Sequence, residues 1–141
     1  MVYVDTSVVV ALLVNETHSA SVGRWYAASK SELVSSAWCV TEFASALGIK
    51  QRTAQLDAEQ ARQAWERFER WVANDLKLLP VQAPHFHRAA LLALDAASAL
   101  RAGDALHLAC AEHAGAKAVA TLDDVMARSA QRLKIKPVVF P

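Results

Sequence analysis

Four carboxylates stand apart from the other acids of this chain by their surroundings. Asp5 closes the apolar run Val2 to Val4, and Asp123 closes a second run from Ala118 to Leu122. Asp104 follows Gly103 where a helical pattern starts, and Glu42 lies in the first turns of another. Other acids, such as Glu59, Glu66, Glu69 and Asp75, lie among Arg and Gln in a long helix and read as solvated surface. Each of the four also has a local reading. Asp5 and Asp104 could cap helices, Asp123 with Asp124 could form a capped turn, and Glu42 could complement a helix dipole. Four caps, however, have no reason to converge on one crevice. If they do, unit charges ~4 Å apart repel by ~4 kcal/mol at an effective dielectric near ~20. Such a cluster must hold protons or bind a cation. Oxygen ligands without His or Cys suit Mg²⁺ or Mn²⁺. A hard ion bridging carboxylates to a phosphate is the equipment for phosphodiester hydrolysis by activated water.

The elements that must position these acids alternate. Strands are expected at Val2–Val4, Glu32–Ser35, Lys77–Val81, Ala118–Leu122 and Ile135–Phe140, the last an edge strand because of Pro137. Helical spacing predicts Val8–Val14, Ser19–Ser29, Val40–Gln51, Asp57–Asn74, His85–Ala99, Asp104–Ala114 and Asp124–Gln131. The alternation implies an α/β fold, a three-layer α/β/α sandwich around a mostly parallel five-stranded sheet. In such a sheet the crevice lies at the carboxyl ends of the strands, where strand order reverses. Asp5 and Asp123 are the residues expected to flank it.

With 141 residues, the chain has the size of one domain, 1–141, and needs no disulfide or metal to fold. Fifteen Lys and Arg against 14 Asp and Glu leave a net charge of +1, which excludes a disordered polyelectrolyte and nucleic-acid binding by bulk charge alone. Cys39 and Cys110 read as buried thiols in a reducing, cytoplasmic setting. The start Met-Val-Tyr-Val-Asp is unlike a signal peptide, and the run Val8 to Val14 is far short of a membrane span.

Val-Tyr-Val-Asp-Thr-Ser at 2–7, Thr41-Glu42 before Phe43 and Leu47, Leu100-Arg-Ala-Gly-Asp-Ala-Leu-His-Leu-Ala109, and Thr121-Leu122-Asp123 together resemble the PIN-domain family. The similarity is greatest to VapC-type toxins of bacterial toxin–antitoxin pairs. The resemblance runs nearly end to end, and the stretch around Asp104 is its most specific part. It implies a PIN-like fold and a metal-dependent endoribonuclease that cleaves a structured RNA such as tRNA or rRNA. It implies Mg²⁺ or Mn²⁺ held by Asp5, Asp104 and Asp123, with Glu42 acting through water or on the nucleophile. Thr6, Ser7 and Thr121 fall in supporting places. The partners implied are a cognate VapB-type antitoxin and a second copy in a homodimer, with no membrane involved.

His107, three residues beyond Asp104, reads first as a packed, hydrogen-bonded histidine, and His85 and His87 read as surface. Trp65, Phe68 and Trp71 read as core with one aromatic to spare for an interface. Arg24, Lys50, Arg52 and Arg101 are candidates for phosphate contacts. Two rival readings are a phosphoacceptor receiver module, to which Lys136-Pro137 points, and an inactive PIN-like scaffold. A haloacid-dehalogenase-type phosphatase is disfavoured, since Ser7 stands where a second Asp is needed.

Overall fold

Short β-branched and aliphatic runs make the strands, and Ala-rich segments with apolar residues every third or fourth position make the helices. The computed structural model describes residues 1–141. Its first half runs β1 (Val2–Val4), α1 (Thr6–Leu13), α2 (Ser19–Ala28), β2 (Leu33–Ser36), α3 (Trp38–Arg52) and α4 (Ala58–Asn74). The second half runs β3 (Leu76–Leu79), α5 (Ala83–Leu94), a 3₁₀ turn (Ala96–Ser98), α6 (Ala102–His113), β4 (Ala118–Ala120), α7 (Asp124–Arg132) and β5 (Lys136–Pro137). The five strands form one sheet in the order β3-β2-β1-β4-β5. Every pairing is parallel, so the sheet expected to be mostly parallel is wholly so.

Side-chain alternation along β1 divides the core in two. Val2 and Val4 pack with Val8, Val9, Phe43 and Phe68 under α1–α4. Tyr3, beside Val34 and Val119, packs with Leu108, Ala109 and Met126 under α5–α7. Both faces are covered, which gives the three-layer sandwich. Phe68 and Trp71 are buried, and Trp65 stacks against Phe43 at 6.3 Å, so the aromatic group belongs to the core.

Several boundaries shift for identifiable reasons. α1 starts at Thr6, earlier than expected, because Asp5 caps it by accepting the Ser7 N–H at 2.5 Å. The helix expected over 85–99 stops at Leu94, where Asp95 caps the 3₁₀ turn and Ala99 takes a left-handed φ of 54°. β5 shrinks to two residues at the sheet edge, the place its proline suited. His85 is buried and not at the surface: it accepts the Gln82 N–H at 2.9 Å and meets the His113 ring edge-on. Cys39 and Cys110 are free and buried.

Candidate active site

From β1 the chain adds strands outward on one side to β3, then returns to place β4 on the other side of β1. Strand order therefore reverses between β1 and β4, and residues just after these strands look onto a crevice. Asp5 extends β1, its N–H donating to the Ala120 carbonyl at 3.0 Å. Its carboxylate is only 4% exposed. Oδ1 accepts the Ser7 N–H, and Oδ2 accepts the Ser7 hydroxyl at 3.1 Å and the Thr121 hydroxyl. Thr121 Oγ1 also accepts the Asp123 N–H at 3.1 Å, and Ser7 Oγ accepts the Leu122 N–H at 3.0 Å. Two hydroxyls thus stitch the loop after β1 to the loop after β4. Asp123 caps α7 through Oδ1, which accepts the Met126 N–H at 2.9 Å. Asp124 is the exposed first residue of that helix.

Asp104 is not a cap. Arg101 holds the N-cap position of α6, so Asp104 is the third helical residue and half-buried. Burial raises its carboxyl above the usual range, and the negative charges of Asp123 and Asp5 raise it further. Burial also pushes the Asp5 carboxyl up, against the opposing effect of His107 and of its hydroxyl and amide donors. No Arg or Lys forms an ion pair with Asp5, Glu42, Asp104 or Asp123. The Asp104 carboxyl therefore feels the charges of Asp5 and Asp123, with His107 and Arg101 acting in the opposite sense, and none of the three acids is locked in an ion pair with Arg or Lys.

Glu42 lies on α3 and behaves differently. Its Oε1 accepts the Thr6 hydroxyl at 2.5 Å and is hydrogen-bonded to His107 Nε2. Burial pushes this carboxyl up, but the hydrogen bonds and charge of His107, with Thr6, outweigh it and hold it below the usual range. Of the two hydroxyls after Asp5, Ser7 serves Asp5 and Thr6 serves Glu42. Sequence reasoning passed over Tyr3, whose Oη lies 2.8 Å from His107 Nδ1. The available signal was its place two residues before Asp5, on the same side of an extended segment.

As placed, no three His, Cys, Asp or Glu side chains enclose a common ion position. The donor chemistry nevertheless fits a hard divalent cation. A carboxylate oxygen can accept twice. Asp5 keeps one acceptor position on Oδ1, Asp123 keeps all of Oδ2, and Asp104 accepts no protein hydrogen bond. Like charges raising Asp104 mark where positive charge would be stabilising. Among the basic candidates, Arg101 is exposed next to Asp104's turn, whereas Lys50 pairs with Glu16 at 2.6 Å and Arg24 donates to the Pro141 carbonyl.

A three-layer sandwich with this strand order and acids at its switch point defines a parallel α/β domain whose ligand crevice lies at the carboxyl ends of its strands. The PIN domain family model matches residues 2–131, and the chain belongs to that family. Among solved structures, it is similar to Mycobacterium tuberculosis VapC20, described as a Sarcin-Ricin loop cleaving toxin, with 15% identity, a TM-score of 0.78 and 100% of each chain covered. It is also similar to FitAcB from Neisseria gonorrhoeae, with 19% identity, a TM-score of 0.74, and 99% of this chain and 97% of that one covered. VapBC2 from Rickettsia felis, solved with a promoter DNA fragment, matches at 14% identity and a TM-score of 0.68, with 100% of each chain covered. A search of curated proteins found no match.

Proposed function

We propose that this PIN-domain chain is a metal-dependent endoribonuclease, the toxin of a toxin–antitoxin pair, which hydrolyses phosphodiester bonds in a structured RNA such as tRNA or rRNA. The observation that carries the reading is the trio Asp5, Asp104 and Asp123 at the β1/β4 switch point, with Asp104 raised by the charges of the other two and none of them locked in an ion pair with Arg or Lys. Those three would hold Mg²⁺ or Mn²⁺, and Glu42 would act through water. When bound, the ion supplies charge that offsets the developing negative charge on the phosphate and lowers the pKa of water. Ser7 and Thr121 orient Asp5, and Thr6 orients Glu42. Arg101, exposed at the N-cap of the helix that carries Asp104, would be the basic side chain for a flanking phosphate.

A cognate VapB-type antitoxin fits this reading, since similar structures are assemblies named VapBC2 and FitAcB. A homodimer is supported by an uncharged face of α5 displaying Phe86, Leu91 and Leu94. No helix is long and apolar enough to cross a membrane, and a cytoplasmic location is part of the same proposal, since that is where the proposed RNA substrate would be met. The receiver reading loses ground, because receiver-type sheets run in the order 2-1-3-4-5 whereas this one runs β3-β2-β1-β4-β5.

The test is cleavage of end-labelled tRNA and rRNA with Mn²⁺, repeated with EDTA. The parent should cut with Mn²⁺ and stop with EDTA, and Asp5→Asn should lose roughly 100-fold or more. An Asp5→Asn protein that cuts like the parent removes the ligand assignment. Incorporation of acetyl phosphate on an Asp would restore the receiver.

A further inference from the structure

The Glu42 carboxylate is held by a chain of buried groups that the proposed metal trio does not explain. His107 is 1% exposed on α6, and both of its ring nitrogens are engaged across elements. Nδ1 lies 2.8 Å from the hydroxyl of Tyr3, a fully buried β1 residue. Nε2 is hydrogen-bonded to Glu42 Oε1 and lies 3.2 Å from Thr6 Oγ1. Glu42 Oε1 is a carboxylate oxygen and can only accept, so Nε2 carries the hydrogen of that bond. Nε2–H therefore points at Glu42 whether the ring is neutral or charged, and the Tyr3 hydroxyl pairs with Nδ1. With the Thr6 hydroxyl, Oε1 is saturated, and only Oε2 is left for water or substrate.

The first turn of α6 confines that second oxygen. A methyl group built on Gly103 would stand 2.9 Å from Glu42 Oε2 and 3.3 Å from the indole nitrogen of Trp38. The indole N–H is buried and makes no well-formed hydrogen bond, but it stands close enough to Glu42 to help hold that carboxyl down. Gly103 thus leaves the room that Oε2 occupies, one residue before Asp104.

We propose that Tyr3 and His107 are positioning residues, a relay running from β1 through α6 to α3 that fixes which oxygen of Glu42 is free and where it stands against Gly103 in the first turn of α6. The inference rests on the nuclease reading for its kinetic consequences but not for its geometry. A packed core histidine needs none of this polarity; an apolar residue of similar volume would fill the space.

The experiment compares His107→Gln, which retains a donor near the place of Nε2, with His107→Leu, which does not, alongside Tyr3→Phe. On labelled RNA with Mn²⁺, His107→Leu should lose roughly 10- to 100-fold in kcat with KM unchanged, as second-layer ligand partners do. His107→Gln should recover most of that loss, and Tyr3→Phe should fall between the two. In a Glu42→Gln background, His107→Leu should cost nothing further, because the relay acts only through Glu42. A His107→Leu protein that cuts like the parent, or a loss that multiplies with Glu42→Gln, overturns the proposal. If the parent cuts no RNA at all, the nuclease reading fails separately. The relay is then decided on the resting protein by long-range ¹H–¹⁵N correlation of the imidazole. An Nε2-bound hydrogen whose signal moves in Glu42→Gln and in Tyr3→Phe upholds it; a ring with Nε2 bare, or a signal indifferent to both, overturns it.

Discussion

At the scale of single residues, two carboxylates of this site respond to folding in opposite senses. Asp104 is raised by burial and by Asp123 and Asp5, so the folded chain holds that proton more tightly than the unfolded one. Its favourable contribution is complete below the unfolded pKa and is lost as pH rises through the folded value. Asp104→Asn should therefore stabilise the metal-free protein by about 1 kcal/mol at pH 7 while abolishing cleavage. The gain should shrink toward pH 4, where the parent's Asp104 takes up its proton; thermal melts in EDTA at the two pH values check this. Adding Mg²⁺ should raise the melting temperature of the parent and not that of Asp104→Asn. Glu42 behaves the other way. Its lowered carboxyl contributes stability above the unfolded pKa that is lost as pH falls through the folded value, and the contribution comes through His107 and Thr6.

At the scale of elements, the approach to α6 is the tightest piece of backbone near the site. α5 stops at Leu94, and the 3₁₀ turn ends in Ala99 at a φ of 54°, a conformation that suits glycine. The Ser98 hydroxyl shares its one hydrogen between the carbonyls of Asp95 and Leu92 and accepts the Leu100 N–H, so the turn is held despite that strain. Ala99→Gly should relieve it and raise stability by about 0.5–1 kcal/mol, read from urea midpoints, without moving cleavage. α4 offers a contrasting case far from the crevice. Asp57 accepts the Gln60 N–H at 2.7 Å and Gln60 returns a bond to the Asp57 N–H at 2.9 Å. Asp57→Ala should cost about 1 kcal/mol and leave any activity intact, which separates loss of stability from loss of function.

At the scale of the whole molecule, α5 presents a face that the fold does not cover. Phe86 is 55% exposed and Leu94 80%, with His87, Ala90 and Leu91 between them and no charged side chain on the stripe. Two copies meeting there face no like-charge repulsion, which supports a second copy of this chain as the occupant. Phe86→Lys with Leu94→Lys should convert a dimer to a monomer in sedimentation equilibrium. A parent that is already monomeric at micromolar concentration would remove the dimer from the proposed function.

What could be read along the chain was whatever local pattern controls. The alternation of strands and helices follows from periodicity and turn chemistry, and with it came the layered sheet, its proline-bearing edge and the four acids at element ends. Asp123 as an N-cap and Asp5 as both cap and crevice residue were likewise open to inspection, because a cap is set by its nearest neighbours. The extent of elements was less visible: α5 ends early because Asp95 starts a different turn, and Asp104 is not a cap because α6 begins two residues sooner, at Ala102, with Arg101 as its N-cap. Tertiary structure alone decided the partners. Thr121 bonds Asp5 across 116 positions, and Tyr3 meets His107 across 104. Such pairs depend on which strands become neighbours and how helices sit over them, and no local spacing encodes that choice. The sequence therefore named the charged groups, while the assembled layers decided which of them stay unpartnered.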